Sequence, residues 1–359
     1  MNEISSNNNT KNKFLPYTSP TNIPHIASWI ITTRCNMKCV HCYPDASIDS
    51  PEPELTENQQ IAAIKTLANA GVKCVILSGG EVLIIKHILK LITTIVSYGM
   101  KAWICTNGVL VTPMFAAKLK DSGISMVSVS IDGIDASTHD VLRECKGAFE
   151  NAINAIGILS SKDIPVMVDY TATKINVTNL KNLRTMVQNT GAKKLNIKRF
   201  RPLGRGRKNI ESLQLSLGEY GSLMEDYFYN VSDSQLAYTC TDDPAIYAYL
   251  RTVKRLNIEN SNNLKSRIGC MAGLGWFGIL SNGDITPCPL LKIPIGNIIY
   301  DDLKSIFSTT QIISSILDRT NRKGACGSCP ENNNCGGCRA HAFAVSGDLL
   351  GEDPFCLIP

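Results

Sequence analysis

The sequence predicts an α/β protein: a partial (β/α) TIM-like barrel of about six parallel strands, followed by a small cysteine-rich C-terminal domain. Two observations predict this fold. Short apolar runs alternate with segments of helical periodicity between Ile26 and about Val231, which is typical of parallel βαβ units. Seven of the 14 cysteines then lie at or after residue 270. An open doubly wound sheet fits the same alternation of strands and helices.

The strands are predicted from short runs of apolar and β-branched residues. They are His25–Thr32, Lys73–Ser78, Lys101–Thr106, Ser125–Ile131, Pro165–Thr173 and Lys194–Arg199. Because parallel strands point the same way, their carboxyl ends meet at one edge, where ligands bind in both barrels and doubly wound sheets. The polar residues and glycines that follow these strands therefore predict the active face.

The helices between the strands are predicted from apolar residues at helical spacing. They are Thr56–Ala70, Leu83–Tyr98, Pro113–Ser122, Phe149–Ser160, Leu180–Asn189 and Leu217–Val231. The first has Gln59 three residues after Thr56, which is the spacing of a capping box. Several of these segments are followed by glycine, the residue that most often ends a helix.

Four segments are predicted along the 359 residues. Residues 1–24 form a flexible arm, 25–235 the barrel, 236–266 a connector with a helix from Pro244 to about Asn257, and 267–359 the cysteine-rich domain. The arm lacks a basic segment followed by an apolar stretch, and no apolar run approaches the ~18–20 residues that span a bilayer. With a net charge of only +5, the composition predicts a cytoplasmic protein whose partners are neither nucleic acid nor membrane.

Cys35, Cys39 and Cys42 follow the first predicted strand with the spacing C-x-x-x-C-x-x-C. Thiolates are soft ligands that suit zinc or iron–sulfur centres. Three on one loop can hold three irons of a 4Fe–4S cube and leave the remaining iron open for another ligand. A structural zinc site completed by His41 or Cys74 is the alternative, although such sites usually consist of two closely spaced pairs of ligands.

A second motif, S-G-G-E, ends the second predicted strand at Ser78–Glu81. Gly79 and Gly80 allow the backbone to approach a ligand closely, and Glu81 can accept a hydrogen bond from an ammonium group. A tight turn without a ligand would have a similar composition.

Together the two motifs resemble those of the radical S-adenosylmethionine (SAM) enzymes, whose signatures are C-x-x-x-C-x-aromatic-C and G-G-E-P. Here His41 takes the aromatic position, where it can stack on adenine, and Val82 takes the position of the proline. The resemblance implies that the amino and carboxylate groups of SAM chelate the open iron, with Gly79–Glu81 at the amino group. It also implies that the reduced cluster breaks SAM into methionine and a 5′-deoxyadenosyl radical, which takes a hydrogen atom from the substrate.

Further polar residues are candidates for contacts with SAM. Asn107 lies in C-T-N-G, and Ser130 and Asp132 lie in S-V-S-I-D-G. The resemblance implies that these three contact the ribose or the carboxylate of SAM, and that Arg143 meets the carboxylate. Turn or helix-cap roles for the first three, and a surface ion pair for Arg143, are the alternatives. The sequence identifies no catalytic acid or base.

The C-terminal cysteines resemble the SPASM domain, which adds two auxiliary 4Fe–4S clusters to some radical SAM enzymes and brings the total to three. Twelve residues separate Cys270 from Gly283, inside the family range. The segment 326–338 has the spacing C-x-x-C-x5-C-x-x-C, one residue shorter at its end than the family pattern. A four-cysteine zinc ribbon over the same segment is the alternative.

The resemblance implies two ligand sets in this domain. The outer auxiliary cluster would be held by Cys326, Cys329, Cys335 and Cys356. The inner auxiliary cluster would be held by Cys270, Cys288 and Cys338. The inner set has only three thiols, so its fourth ligand is Cys240, another residue, or an open site for substrate.

One stretch, residues 193–208, is rich in basic side chains. These are Lys193, Lys194, Lys198, Arg199, Arg201, Arg205, Arg207 and Lys208. Because the stretch begins on the last predicted strand and reaches the active face, part of it is a candidate for binding carboxylates of the substrate or of SAM. An ordinary solvated face is the alternative.

The resemblance implies the class of chemistry more closely than the substrate. The favoured prediction is a maturase that cross-links or epimerises a ribosomally made peptide, with an electron donor such as flavodoxin or ferredoxin. Only 34 residues precede Cys35, too few for the leader-binding module that many such enzymes carry. The alternative is tailoring of a tetrapyrrole side chain in the synthesis of a heme precursor, which the basic stretch suits.

Two other readings are weaker. Sulfatase maturases typically have Asp directly after the second SPASM cysteine, where this chain has Pro289. A redox carrier or a zinc protein without enzymatic activity has no need of an open iron beside an S-G-G-E turn.

Overall fold

The computed structural model describes residues 23–49, 52–177, 180–229, 238–240, 243–252 and 269–358. The strands of this part of the chain are β1 (Ile26–Thr32), β2 (Cys74–Gly79), β3 (Lys101–Thr106), β4 (Met126–Ser130), β5 (Val166–Ala172), β6 (Lys194–Arg199), β7 (Tyr238–Cys240), β8 (Trp276–Ile279), β9 (Asp284–Thr286) and β10 (Gly296–Asn297). They form one sheet of ten strands in the order β10-β9-β8-β1-β2-β3-β4-β5-β6-β7.

The sheet is parallel through most of its width, which confirms the predicted fold class. β1 to β7 run parallel to one another, and β8 runs parallel to β1 on its other side. Among the described strands, the antiparallel pairings are those of β9 with β8 and of β9 with β10. The sheet therefore has two more parallel strands than the six predicted, because β7 and β8 are only three and four residues long and give little periodic signal.

The sheet is curved into a partial barrel. Alternate residues of β1 to β6 line one common cavity, whereas a flat sheet would present its strands side by side along a plane. Successive side chains of a strand point to opposite faces, so this regular alternation defines one concave inner face. Since β7 and β10 end the strand order on either side, the barrel is partial, as the sequence predicts.

The helices that alternate with the strands of the barrel pack their apolar residues against the sheet. The described helices are α1 (Glu57–Asn69), α2 (Ile88–Ser97), α3 (Pro113–Asp121), α4 (Ala136–Arg143), α5 (Ala148–Ser160), α6 (Leu180–Asn189), α7 (Ile210–Leu213), α8 (Leu217–Tyr229), α9 (Ala245–Thr252), α10 (Leu303–Thr309), α11 (Gln311–Leu317), α12 (Gly324–Ser328) and α13 (Arg339–Ser346). The predicted capping box of α1 is present, with the Thr56 and Gln59 side chains bonded to each other's backbone.

Two differences from the predicted helices have a local cause. α2 begins at Ile88 rather than Leu83, because the Glu81 side chain accepts from the Leu83 amide and caps a 3-10 turn instead. α4 was not predicted at all. It is eight residues long and begins after Asp135, whose side chain accepts from the Thr138 amide; this N-cap was the available signal.

The main apolar core lies between the sheet and the helices. It contains Trp29 and Ile31 of β1 together with Phe277 and Ile279 of β8 and the more distant Phe307. The C-terminal segment thus shares the core of the barrel, and the predicted boundaries after residues 24, 235 and 266 stay predictions. The predicted arm lies outside the described residues up to position 22. None of the helices in the described ranges is long and apolar enough to cross a membrane.

Candidate active site

The inner face of the barrel encloses a cavity of about 850 Å³, within the range of small-molecule sites. Its wall combines the loop after β1, the carboxyl end of β2 and the segment that precedes β8. The strand residues that face it are Ile26, Ser28, Ile76, Ser78, Trp103, Cys105, Met126, Ser128, Ser130, Met167, Asp169, Thr171, Lys194, Asn196 and Lys198. The predicted active face therefore opens into the interior of the barrel.

Cys35, Cys39 and Cys42 all line this cavity, so the structure brings the predicted triplet together. The Ala46 amide donates to the Cys42 sulfur at 3.3 Å, and Nη1 of Arg143 lies 3.8 Å from the Cys39 sulfur. Burial raises the pKa of the Cys35 thiol to about 12. Three thiolates without a metal would be unfavourable at this buried site, because their negative charges would have little solvent around them. The positive charge of bound iron would offset the free energy of burying these charges.

The two residues that could complete a zinc site point elsewhere. Cys74 lies at the amino end of β2, opposite Ile26, and is separated from Ser78 at the other end by roughly 13 Å at the usual rise of a strand. Nε2 of His41 lies 3.2 Å from an oxygen of Asp132. In the described ranges no three His, Cys, Asp or Glu side chains converge on one point as ligands of a single ion. An iron–sulfur cube does not require such a convergence, because each thiolate binds a different iron.

Gly79 and Gly80 join the end of β2 to the cysteine loop. The Gly80 amide donates to the Thr32 carbonyl at 2.8 Å, and the Glu81 amide donates to the Arg34 carbonyl at 2.9 Å. A Cβ at Gly79 would lie 2.2 Å from the Thr32 oxygen, and one at Gly80 would lie 2.0 Å from the Arg34 oxygen. The close approach that these glycines permit is thus to the protein's own backbone, and it holds both motifs on the cavity wall.

The Glu81 carboxylate is fully buried and bonded within the protein, not directed at the cavity. It accepts from the Leu83 amide at 3.0 Å, the Thr106 hydroxyl at 2.8 Å and the Asn107 amide at 2.8 Å. These hydrogen bonds stabilise the turn after β2 from within the protein, and a contact of Glu81 with an ammonium group stays a prediction. Burial raises the pKa of Glu81, although the hydrogen bonds from Asn107 and Leu83 oppose that rise.

Asp132, His41 and Arg143 form a buried ionic network behind the cysteine loop. Asp132 is fully buried; Arg143 pairs with its carboxylate, as does His41, and the Thr171 amide donates to it at 2.8 Å. Burial alone would raise the pKa of Asp132, but Arg143 and His41 outweigh it and hold that pKa well below its ordinary value. Asp132 thus has charged partners within the protein, and its contact with SAM stays a prediction, whereas Arg143 is buried rather than in a surface pair.

Asn107, Ser130, His41 and Arg143 remain at the cavity wall. Asn107 donates from its side chain to Asn36 at 2.7 Å and accepts from the Val109 amide at 3.1 Å. Ser130 lies at the carboxyl end of β4. Four of the polar SAM-contact candidates are therefore near the triplet, and Glu81 and Asp132 are one layer behind it.

The C-terminal cysteines gather in two groups. Cys270, Cys288 and Cys338 pack in one cluster with Leu291 and Ala340, and Nε of Arg201 donates to the Cys338 sulfur at 3.2 Å. The side chain of Cys240, the suggested fourth ligand, lies outside the described part of the chain. These three residues match the inner set of the sequence prediction.

The second group surrounds Asp353. The Asp353 amide donates to the Cys326 sulfur at 3.4 Å, and the Gly337 amide donates to the Cys335 sulfur at 3.4 Å. Burial raises the pKa of the Cys356 thiol, and the neighbouring Cys326 and Cys329 raise it further. The four cysteines of the predicted outer set are thus close in space.

Arg199 connects the barrel to this second group. Its guanidinium lies 3.0 Å from carboxylates of both Asp243 and Asp353 and donates to the Phe355 carbonyl at 3.1 Å. The Asp353 carboxylate in turn accepts from the Cys338 amide at 2.8 Å. One buried cation therefore fixes the end of β6 against the segments that carry both cysteine groups.

The basic stretch is mostly turned inward, so the solvated-face reading is wrong for most of it. Lys194 and Lys198 face the cavity, while Arg205 binds Asp45 and the carbonyls of the cysteine loop. The exposed members are Lys193, Arg207 and Lys208. On β6, Lys198 lies 2.8 Å from Asp169.

Several cavity residues were missed from the sequence. Tyr43 lies just after the triplet and bonds to Ser78, while Trp103, Trp276 and Cys105 supply apolar wall. The Ser128 hydroxyl is buried and faces the cavity without a hydrogen-bond partner among the described residues. The alternation of polar residues along β3 to β6 was the available signal, because a strand buried on both faces would read as continuously apolar.

Comparisons with known proteins agree with this geometry. The model of the radical SAM superfamily matches residues 29–187, and the model of an iron–sulfur cluster-binding domain, SPASM, matches residues 270–338. The AdoMet-dependent heme synthase of Methanosarcina barkeri is 31% identical over 94% of this chain and 97% of its own length. The mycofactocin maturase MftC of Mycolicibacterium smegmatis is 29% identical over 93% of this chain and 83% of its own.

Among solved structures, Streptococcus suis SuiB bound to S-adenosylmethionine superposes with a TM-score of 0.75 and 18% identity, covering 94% of this chain and 78% of that one. This likeness confirms the predicted fold. From the matched motifs and the relatives that span nearly its whole length, this chain belongs to the radical SAM superfamily and is an enzyme of its SPASM subgroup, whose cofactors are S-adenosylmethionine and 4Fe–4S clusters.

Proposed function

We propose that this enzyme modifies carboxylate side chains of a tetrapyrrole, removing or oxidising propionates of a heme precursor. The sequence favoured a peptide substrate and gave the tetrapyrrole as the alternative. The resemblance to a heme synthase over nearly the full length of both chains supports the alternative better.

The observation that carries the proposal is the placement of cations in an otherwise largely apolar cavity. Lys194 and Lys198 of β6 face the same space as the cysteine triplet. Trp103, Met126 and Met167 line that space from β3, β4 and β5. A porphyrin is a flat apolar ring with anionic side chains, so it suits apolar walls with a few convergent charges.

Cys35, Cys39 and Cys42 would hold the SAM-binding cluster, and Cys270, Cys288 and Cys338 with Cys326, Cys329, Cys335 and Cys356 would hold the auxiliary clusters. When bound, the first cluster and SAM supply the abstraction of a hydrogen atom from the substrate. The backbone of Gly79 and Gly80, with Asn107 and Ser130, would contact SAM. His41, Asp132 and Arg143 would keep the cysteine loop in place behind it.

Lys198 would orient the carboxylate of the substrate. Its ammonium group has three donors, and one is directed at Asp169, which also accepts from Asn196 at 2.8 Å. Asp169 therefore positions the lysine on the wall of the cavity. Holding one propionate on β6 fixes which carbon faces the triplet, and such positioning is the protein's main contribution to radical chemistry.

The proposal includes a cytoplasmic site of action and an electron donor such as flavodoxin or ferredoxin. Thiol ligands stay reduced in reducing compartments such as the cytoplasm. The first cluster must be reduced before it can act on SAM, so a low-potential donor is required.

A peptide substrate is the second candidate, because MftC, a maturase, also aligns with most of this chain. The two candidates differ in what the β6 cations would contact. A porphyrin needs Lys194 and Lys198 for its carboxylates, whereas a peptide backbone has no comparable charge.

The test is an anaerobic incubation of the reconstituted enzyme with SAM, dithionite and iron coproporphyrin III, followed by mass spectrometry. Loss of CO₂ and two hydrogens from a side chain, together with 5′-deoxyadenosine, is the expected result. Release of 5′-deoxyadenosine without any change in the porphyrin would contradict the tetrapyrrole proposal. A change in a peptide encoded beside the gene would then favour the second candidate.

A further inference from the structure

Arg201 lies between the cavity and the inner cysteine set. Its side chain is 7% exposed and contributes to the cavity wall. Nε donates to the Cys338 sulfur at 3.2 Å, and Nη1 donates to the Arg199 carbonyl at 3.4 Å. One edge of the guanidinium therefore faces a thiol of the inner set while the residue also borders the space where a substrate would lie.

The positive charge of Arg201 lies beside buried thiols. Cys338 and Cys288 are both buried, and Arg201 donates to the Cys338 sulfur. The nearby Arg319 and Arg322 instead direct their guanidinium groups to backbone carbonyls such as those of Asn332 and Ile316. Arg201 is thus placed to act on the sulfur atoms themselves.

A cation and an N–H···S hydrogen bond act in the same direction on an iron–sulfur cluster. Reduction adds negative charge, and both features stabilise that charge more than they stabilise the oxidised form. The effect is large where solvent is excluded, because there is little water to screen the charge.

We propose that Arg201 raises the reduction potential of the inner auxiliary cluster and so makes that cluster the acceptor of the electron that the substrate loses. This inference rests on the ligand set proposed for the inner cluster. It does not depend on the tetrapyrrole being the substrate.

For a propionate the electrons balance as follows. The carbon attached to the ring first gives up a hydrogen atom to the group derived from SAM. The bond to the carboxylate then breaks, CO₂ leaves, a carbon–carbon double bond forms, and one electron remains. The inner cluster in its oxidised form would take up that electron. Arg201 borders the cavity and contacts Cys338, so the inner cysteine set lies beside the space where a substrate would bind.

The experiment measures potentials without substrate or SAM, so a wrong substrate assignment cannot affect it. A background variant with Cys35, Cys39 and Cys42 replaced by Ala would lack the SAM-binding cluster, leaving only the auxiliary signals. In that background, Arg201→Met, Arg201→Gln and Arg201→Lys would be compared by redox titration monitored by electron paramagnetic resonance. Lys208→Met is the matched control, since it removes an exposed cation of the same segment.

Arg201→Met is expected to make reduction of one auxiliary cluster at least tenfold less favourable, a shift of about 59 mV for a one-electron couple. Arg201→Lys should keep most of the parent potential, and Arg201→Gln should lie between them because it keeps a donor without the charge. The second auxiliary cluster and Lys208→Met should stay at the parent value.

Three outcomes would overturn the inference. They are an unchanged potential in Arg201→Met and Arg201→Gln, an equal shift of both auxiliary clusters, and failure of all Arg201 variants to bind iron while Lys208→Met binds it. The last would show that Arg201 holds the site together rather than tuning it. If only Arg201→Met fails to bind iron, the potential of Arg201→Gln decides.

Discussion

Nε2 of His41 lies 3.2 Å from the buried carboxylate of Asp132, which also pairs with Arg143. The histidine occupies the position that is aromatic in the family signature, between Cys39 and Cys42. Arg143 in turn lies 3.8 Å from the Cys39 sulfur. One carboxylate therefore holds the cysteine loop through two side chains, and a phenylalanine at position 41 would have no donor for this contact.

Asp132→Asn should lower the free energy of unfolding by about 3–5 kcal/mol, because it leaves the Arg143 charge buried without its partner. Asp132→Asn combined with Arg143→Met should cost less than Asp132→Asn alone. Denaturant unfolding of the anaerobic protein, followed by circular dichroism, measures both. A double variant as unstable as the sum of the single ones would show that the two residues do not act as a pair.

Gly80→Ala should weaken SAM binding at least about tenfold, or about 1.4 kcal/mol. The added Cβ would lie 2.0 Å from the Arg34 carbonyl, so the cysteine loop must move away from the β2 end. Gly157→Ala is the control, since nothing lies within 4 Å of its Cβ. Isothermal titration with SAM gives both dissociation constants, and equal affinity in the two variants would be evidence against this account of the glycines.

Stability should fall as the pH is lowered from 7.5 to 5.5, in part through His139. Burial and the nearby Arg143 lower the pKa of His139 from 6.5 to about 4, and its Nδ1 accepts from the Asp132 amide at 2.9 Å. Below pH 6.5 the unfolded chain binds a proton at His139 that the folded chain does not bind. The loss in the free energy of unfolding that His139 causes therefore approaches about 1.4 kcal/mol per pH unit, and it is absent above the pKa of the unfolded chain.

His139→Asn should flatten that pH dependence while keeping a side-chain acceptor for the Asp132 amide. Thermal unfolding midpoints across the pH range, for the parent and the variant, make the comparison. Parallel curves for the two proteins would assign the pH dependence to other groups.

Lys198→Met should weaken binding of a porphyrin polycarboxylate about 10- to 100-fold, the effect of losing a hydrogen bond between charged groups. Lys193→Met is the matched control, because Lys193 precedes the same strand but is exposed. Absorbance titrations with the porphyrin give the two dissociation constants. Equal weakening in both variants would point to general electrostatic attraction rather than a carboxylate site.

Cys35→Ala should abolish SAM cleavage, whereas Cys326→Ala should keep some SAM cleavage and lose substrate turnover. The parent should bind about 12 irons, four for each of three clusters. Iron analysis and chromatography of 5′-deoxyadenosine distinguish the variants. Normal turnover by Cys326→Ala would remove the auxiliary cluster from the reaction.

The parts of the fold and site that the sequence predicted have local signals. The strands β3 and β6 keep their predicted bounds, because their apolar alternation is continuous and their ends are marked by turn residues. The triplet at Cys35, Cys39 and Cys42 was likewise visible from its spacing, whereas the two C-terminal cysteine groups were implied by the resemblance to the SPASM domain.

The missed parts depend on contacts across the sheet. Whether Glu81 faces a ligand or caps its own turn is decided by Thr106 and Asn107 on the next strand, and nothing near residue 81 reveals that choice. The inward side of Lys198 and the pairing of Arg199 are also set by distant partners, Asp169 and Asp353. The composition showed only a basic stretch. In the structure, successive side chains of β6 point to opposite faces of the sheet, so Lys198 and Arg199 have different partners.

The pairing of β1 with β8, in which Ile26 lies opposite Trp276, constrains how the protein is made. At a translation rate of ~5–20 residues per second, one edge of β1 waits on the order of tens of seconds for its neighbour to leave the ribosome. During that time a strand with the buried, apolar residues of β1 has unpaired backbone groups that can join another chain. We therefore expect this edge to need chaperone protection during synthesis, and a shortened chain that ends before residue 276 would lack the strand that closes it.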